Sequence, residues 1–205
     1  MSKPMKSVLY LASKSFSRKE LLRKAGVPFI VINQDADETE CDWNQQLQKV
    51  VETIAMHKMH HAILPAGKEG NVIFVLTADT LSVDATGAIS GKPASRADAV
   101  AKIKAARGGV NLCGTAFCLE RKIFTAGKWE TEKQIVKFVH AEYYFEVPDD
   151  FIDDYIQHSG ALEAAGAITI EDGPQFLKSV SGSYSAIVGL PMYELWQALT
   201  ELGFF

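Results

Sequence analysis

At 205 residues, 47% apolar and 22% charged, the chain has the composition of an ordinary globular protein with room for one large or two small domains. Lys plus Arg number 21 against 25 Asp plus Glu, and a net charge of −4 argues against nucleic acid as the main partner. The three cysteines, Cys41, Cys113 and Cys118, form neither a disulfide framework nor a zinc-binding pattern, and two of them lie in an apolar run that suits a core in a reducing compartment. No window reaches the ~18 apolar residues of a membrane span. The N-terminal apolar segment, preceded by a few lysines, is too short for a secretory signal. A cytoplasmic protein with no membrane partner is expected.

In chain order, residues 7–12 read as a first strand that runs into the polar loop Ser13-Lys14-Ser15-Phe16-Ser17. Ser17 and Glu20 stand in the spacing of a capping box, opening a helix that Gly26 closes. Strand, serine-rich loop and helix N-terminus make an anion site in principle, because unpaired N–H groups and hydroxyls converge at the positive end of the dipole. Arg18 in the first turn opposes that dipole, so it either serves a ligand or is a solvated surface residue. Residues 28–33 read as a second strand, followed by the acidic loop of Asp35, Asp37, Glu38 and Glu40. Such a run is a solvated connection or a source of Mg²⁺ ligands. Residues 44–64 form an amphipathic helix with Leu47, Val50, Val51, Ile54 and Ala55 on its apolar stripe. His57, His60 and His61 recur at helical spacing but lack the carboxylate of a zinc-protease motif. They read as surface or internally satisfied histidines.

Residues 72–76 (VIFVL) suit a strand buried on both faces. Asp79 follows at its expected exit, where open α/β sheets bind ligands. A hairpin turning at Thr86-Gly87 brings Gly91-Lys92-Pro93 back toward the same end. An acid and a lysine facing one pocket suggest a metal-bound phosphate ester; a turn-capping Asp and a surface Lys are the plain alternative. Ser95 opens a further helix, with Val100 and Ile103 on its apolar face. Residues 110–124 and 128–146 then make a long hairpin around Thr125-Ala126-Gly127. Pro148 starts a helix with an acidic first turn, and residues 165–170 are a strand-like run before the turn Glu171-Asp172-Gly173. Residues 176–180 read as a strand, and Pro191 begins a terminal helix that buries Leu195, Leu199 and Leu202. The expected class is α/β: a mixed elongated sheet flanked by helices, bent into two lobes with a central cleft, as one domain over residues 1–205.

Three separated segments, LASKSFSRKELL, ADT…GKP and AAGAITIEDG…SGSYSAIVGLP, together resemble the Maf family of nucleoside triphosphate pyrophosphatases, the septum-formation inhibitor-like proteins. The resemblance covers essentially the whole chain in order and spacing. Leu11, Ala12, Ser13, Ser15, Arg18, Glu20, Leu21 and Leu22 match the family's first loop and helix. Asp37-Glu38 resembles its acidic pair, Lys58 its helix lysine, Asp79 its central acid and Lys92 its Gly-Lys-Pro lysine. The resemblance implies a fold like that of the inosine triphosphate pyrophosphatases. It also implies hydrolysis between the α and β phosphates to a nucleoside monophosphate and pyrophosphate. Asp79 and Glu38 would hold a divalent cation, Mg²⁺ or Mn²⁺, which lowers the pKa of a bound water. Asp79 and Lys92 would be catalytic, with Asp79 the general base, while Ser13, Ser15, Arg18 and Lys58 would hold the phosphates.

Departures from the family bear on the substrate. Phe16 and Ser17 replace Pro-Arg, Ala164 stands where many members have Lys, and Glu171 stands where the pyrimidine-directed branch has Gln. Fewer cations and an added carboxylate make the pocket more negative. Ser17, Thr80 and Glu171 form the expected selectivity set, and it is mixed. Glu171 resembles the branch acting on 7-methylguanosine triphosphate, since a carboxylate accepts from the adjacent N1–H and N2–H₂ of guanine. Thr80 resembles the branch acting on thymidine and uridine triphosphates. A guanine-type base is favoured. A catalytically weak nucleotide-binding regulator is the alternative, and a homodimer is expected because small enzymes are often C₂-symmetric.

Overall fold

The computed structural model describes residues 7–205; the basic stretch of residues 1–6 lies outside the described residues. The class is α/β, built on a mixed seven-stranded sheet with strand order β2-β1-β3-β5-β6-β7 and β4 attached to β3. Strand β1 (Leu9–Leu11) pairs in parallel with β2 (Phe29–Val31) and with β3 (Val72–Val83). The short β4 (Ile89–Ser90) runs antiparallel to β3, so the expected hairpin forms, with Ser82 opposite Ser90. Strands β5 (Asn111–Thr125) and β6 (Lys128–Phe145) are the long hairpin. Its turn residues Ala126 and Gly127 both have positive φ, 50° and 81°, the twist a two-residue hairpin needs. Strand β7 (Leu177–Gly182) is antiparallel to β6.

Helix α1 (Phe16–Lys24) is capped two positions before the expected capping box: Ser15, whose hydroxyl accepts from the Arg18 amide, is the cap, and Ser17 lies in the first turn. Glu20 pairs with Arg23 instead of folding back on the helix start. Helix α2 (Leu47–His60) is shorter than its amphipathic pattern, but it buries the whole expected stripe. Helix α3 (Arg96–Ala105) is capped by Ser95, which accepts from the Asp98 amide. Past Pro148 the chain makes a 3-10 turn, Asp149–Phe151, before helix α4 (Ile152–His158). Helix α5 (Tyr184–Val188) and helix α6 (Met192–Glu201) complete the chain.

Two expectations are corrected. Residues 165–170 are not a strand: the backbone there makes 3-10 turns, with Gly166 at φ 64° and Ala167 at φ 58°. Consecutive left-handed residues break the pleat, even though Ala167, Ile168 and Ile170 are buried as their apolar character requires. Strand β3 does not end at Leu76 but continues to Val83, so Asp79 is inside the strand. Its pairing with β1 stops at Leu11 opposite Leu76, and Asp79 therefore stands just beyond the carboxyl end of β1, beside the loop that leads to α1.

The chain divides into two compact units. The first comprises the described residues up to Asp79, Ala116–Phe138 and Leu190–Phe205. Its core packs Leu9 and Leu11 of β1, Phe74, Leu76 and Ala78 of β3, Phe117 and Leu119 of β5 and Leu22 of α1 against Leu195, Leu199 and Leu202 of α6. Alternate residues of β3 face that core, and the intervening ones face α2, where the Thr77 hydroxyl donates to the Ala55 carbonyl at 2.7 Å. The second unit, Thr80–Thr115 and Val139–Gly189, buries Ala99 and Ile103 of α3, Tyr143 and Phe145 of β6 and Ile152, Tyr155 and Ile156 of α4. Gly173 follows the Glu171-Asp172 turn there because an added Cβ would lie 2.9 Å from both Phe145 and Tyr155. Among the described residues no helix is long and apolar enough to cross a membrane.

Leu199 has no solvent exposure in the first core. Truncation to Ala is expected to cost about 2–5 kcal/mol of unfolding free energy, measured by urea denaturation. A cost below about 1 kcal/mol would mean that α6 packs far more loosely than its burial implies.

Candidate active site

The first unit gathers six of the expected site residues. Asp79 and Thr77 point from β3 toward α2, and Lys58 lies one turn beyond Ala55 on that helix, so strand alternation and helical periodicity bring the two charges together. Lys58 Nζ is 2.7 Å from Asp79 Oδ1 and 2.7 Å from Glu38 Oε1. Asp79 is 5% and Lys58 8% exposed, whereas Glu38 reaches in from a half-exposed 3-10 turn (Glu38–Glu40). Asp37 does not join this cluster; its carboxylate caps the turn by accepting from the Thr39 amide.

Arg18 is the second cation of the site. Ser15 starts α1 so that Arg18 turns inward to 9% exposure, and its Nη1 donates to the Ala78 carbonyl at 2.9 Å and to Ser13 Oγ at 3.3 Å. Ser13 Oγ also accepts from the Ser15 amide, which ties the loop to itself. A solvated Arg18 is ruled out by this burial. Ser13, Ser15 and Arg18 form one hydrogen-bonded unit joined to the residue before Asp79.

The electrostatics of Asp79 have two opposing sources. Burial pushes its carboxyl above the ordinary 3.8, while the Lys58 ammonium and, more weakly, Arg18 favour the anion; Glu38 repels it. Burial prevails. The second carboxylate oxygen, Oδ2, is buried without a hydrogen-bond partner, a costly arrangement unless a ligand or a proton meets it. Burial likewise raises the thiol of Cys41 nearby, and pushes Cys118 up to about 12, so neither is a thiolate nucleophile.

The remaining expected residues belong elsewhere. Lys92 is exposed in the second unit, and its Nζ donates to Glu163 Oε2 at 2.9 Å. Thr80 follows Asp79 in β3 and so leaves the strand on the opposite face, where its hydroxyl is 2.9 Å from that of Thr115. Glu171 is an exposed turn residue whose charge adds to burial in raising the Tyr184 hydroxyl, and Ser17 is half-buried on α1. Of the three histidines, His57 approaches Glu40 at 3.6 Å and His61 approaches Asp35 at 3.2 Å. Among the described residues no group of three or more His, Cys, Asp or Glu side chains forms a metal site. The sequence pattern did not signal Thr115 or Glu163, because the partners of both lie far along the chain.

A buried acid clamped by a lysine, next to an inward-turned arginine on a serine-rich loop, defines an α/β protein built to handle an anionic ligand. Residues 8–202 match the Maf family, described as Maf-like protein. The chain belongs to that family. It is 30% identical to the dTTP/UTP pyrophosphatase of Neisseria meningitidis strain Z2491, with 97% of this chain and 96% of that protein aligned. Relatives of the same description from Xanthomonas euvesicatoria and Syntrophus aciditrophicus are each 31% identical, covering 96% and 95% of this chain and 99% and 90% of their own.

Because folding raises Asp79, the native state holds a proton that the unfolded chain has lost once the pH passes about 4. Its contribution to stability is complete below that value and is lost as the pH climbs through the folded pKa. Asp79→Asn removes this slope, so the variant should gain stability relative to wild type from pH 4 to pH 8 in urea unfolding. Parallel curves would show that Lys58 holds the group at its ordinary value.

Proposed function

We propose that the protein hydrolyses the bond between the α and β phosphates of nucleoside triphosphates, with thymidine and uridine triphosphates as its substrates. Water adds to the α phosphorus, the bridging oxygen leaves with pyrophosphate, and a nucleoside monophosphate remains. The observation that carries the proposal is the buried Asp79 held by Lys58. The names of the aligned relatives support the reaction and the pyrimidine substrates.

In this mechanism Asp79 takes the proton of the attacking water. A carboxyl raised by burial above its ordinary range is a better base for that task than an ordinary one, and Lys58 opposes the shift by favouring the anion. Arg18, fixed by Ser13 and the Ala78 carbonyl, is preorganised to meet phosphate charge at little reorganisation cost. The family resemblance adds Lys92 as a catalytic residue, and its exposed pair with Glu163 is a weak one to give up.

A divalent cation fits the donor set. Two carboxylates converge on one cationic atom, and Asp79 Oδ2 is buried and unpartnered. Asp79 and Glu38 would hold Mg²⁺ or Mn²⁺, which is commonly bound by one or two carboxylates with substrate phosphates and water completing the shell. When bound, such an ion neutralises phosphate charge and lowers the pKa of a water. The free thiols of Cys41, Cys113 and Cys118 accord with a cytoplasmic location, and a homodimer belongs to the proposal on general grounds.

Glu171 favours a second substrate. A carboxylate only accepts, which suits guanine and hence 7-methylguanosine triphosphate. Pyrophosphate release from a panel of triphosphates, with Mg²⁺ or Mn²⁺ present and then chelated, separates the two. Asp79→Asn should lower kcat about 10²–10⁴-fold, and chelation should remove activity until metal returns. Turnover on 7-methylguanosine triphosphate above that on dTTP or UTP would select the second substrate. Binding without turnover on any nucleotide would make the protein a nucleotide-binding regulator instead.

A further inference from the structure

A small polar cavity lies within the second unit, lined by Ser82, Asp84, Ser90, Lys102, Asn111 and Gly166. It offers about 10 Å³ to the centre of a water-sized sphere, room for a single water. Asn111, at the start of β5, is fully buried. Its side-chain nitrogen donates to the Ala106 carbonyl at 2.8 Å and, less closely, to the Gly109 carbonyl at 3.4 Å. Turning the amide over would set its oxygen against two carbonyl oxygens, so the orientation is fixed. Oδ1 is then the polar atom of Asn111 that is buried without a protein partner. A buried acceptor left so is costly, and it calls for a donor.

The lining decides what that donor is. A guest that must donate to Asn111 is not an anion. Asp84 and Lys102 carry opposite charges, so the walls sum to no net charge and suit a neutral guest over a metal cation. The Lys102 ammonium is itself held by Asp98 Oδ2 at 2.7 Å, and Asp84 Oδ1 already accepts from the Thr86 and Ala88 amides. The hydroxyls of Ser82 and Ser90 can give or take a bond. A buried water needs about two to four polar partners, and Asn111 with the two serines supplies them.

The same walls hold the residues that precede Lys92. Ser90 and Gly91 lead directly into it, and the Gly91 carbonyl accepts from the Gly166 amide at 3.0 Å. Gly166, at φ 64°, sits so close to Ser82 that an added Cβ would lie 2.9 Å from the Ser82 Cβ. We propose that this cavity is a binding site for one buried water, which donates to Asn111 Oδ1 and joins β5 to the serines of β3 and β4. The water braces the turn that presents Lys92. The site is separate from the Asp79–Lys58 cluster and stands whether or not the protein hydrolyses nucleotides.

The test is a crystal structure of the protein grown with rubidium chloride as the salt. One density peak at about 2.7–3.2 Å from Asn111 Oδ1, without rubidium anomalous signal, is the expected result. A rubidium signal there would make the guest an alkali cation and overturn the assignment, as would the lack of any peak. Asn111→Leu removes the acceptor, so the peak should vanish. Hydrogen exchange of the Gly166 amide, followed by NMR, should then speed up about tenfold, the worth of one hydrogen bond, while the amides of α4 keep their wild-type rates. Unchanged exchange at Gly166, or an equal rise throughout α4, would show that the water does not brace the turn. Should Asn111→Leu fail to fold, Ser90→Ala removes one partner hydroxyl and is read by the same exchange, with a rise at Gly166 again expected. None of these readouts involves turnover. Hydrolysis of UTP by a protein that shows no peak would defeat the water site and leave the proposed function intact.

Discussion

The bond between Lys58 and Asp79 is the constraint on which the rest of the first unit depends. A carboxylate with 5% exposure in the middle of a strand is tolerated only with a partner, and the partner is itself 8% exposed. Lys58 can reach it because Thr77, two residues earlier on the same face, is bonded to Ala55, three residues before Lys58 on α2. Strand and helix are locked in register by a neutral hydrogen bond, and the ion pair falls one step further along both. Glu38 then joins as a second anion, leaving the ammonium between two carboxylates. Buried pairs of this kind contribute little net stability, so their presence is better understood through the chemistry of Asp79 than through the fold.

Arg18 shows the same economy. Helix α1 is capped by Ser15, and this one-residue choice turns Arg18 inward, onto the carbonyl of Ala78 and the hydroxyl of Ser13. The guanidinium thus reports the position of the strand that carries Asp79. Cap, loop and strand form one rigid unit, which is what a phosphate site needs if its donors are not to reorganise during reaction.

The second unit handles polarity differently. The hydroxyls of half-buried Thr80 and of buried Thr115, Ser82 and Tyr143 are joined in pairs, with Ser82 2.9 Å from Tyr143. Its aromatic core of Phe145, Tyr155 and Phe176, with ring centroids 5.6–6.1 Å apart, fixes the turn that presents Glu171 and forbids a side chain at Gly173.

By itself the sequence determined the α/β class, most helices and strands, the long hairpin, and the family to which the site motifs belong. Those features depend on local periodicity, caps and short spacings, which a linear reading captures. It stopped β3 too early, because the run past Leu76 includes polar residues whose strand conformation is imposed by neighbouring chains. It took residues 165–170 for a strand, because burial without a left-handed kink looks the same in one dimension. The solvated reading of Arg18 could be discarded only once burial was known. Thr115 and Glu163 were invisible, since Thr115 meets Thr80 across 35 residues of chain and Glu163 meets Lys92 across 71. Tertiary structure alone decided these points, because burial and long-range pairing are properties of chain segments brought together in space.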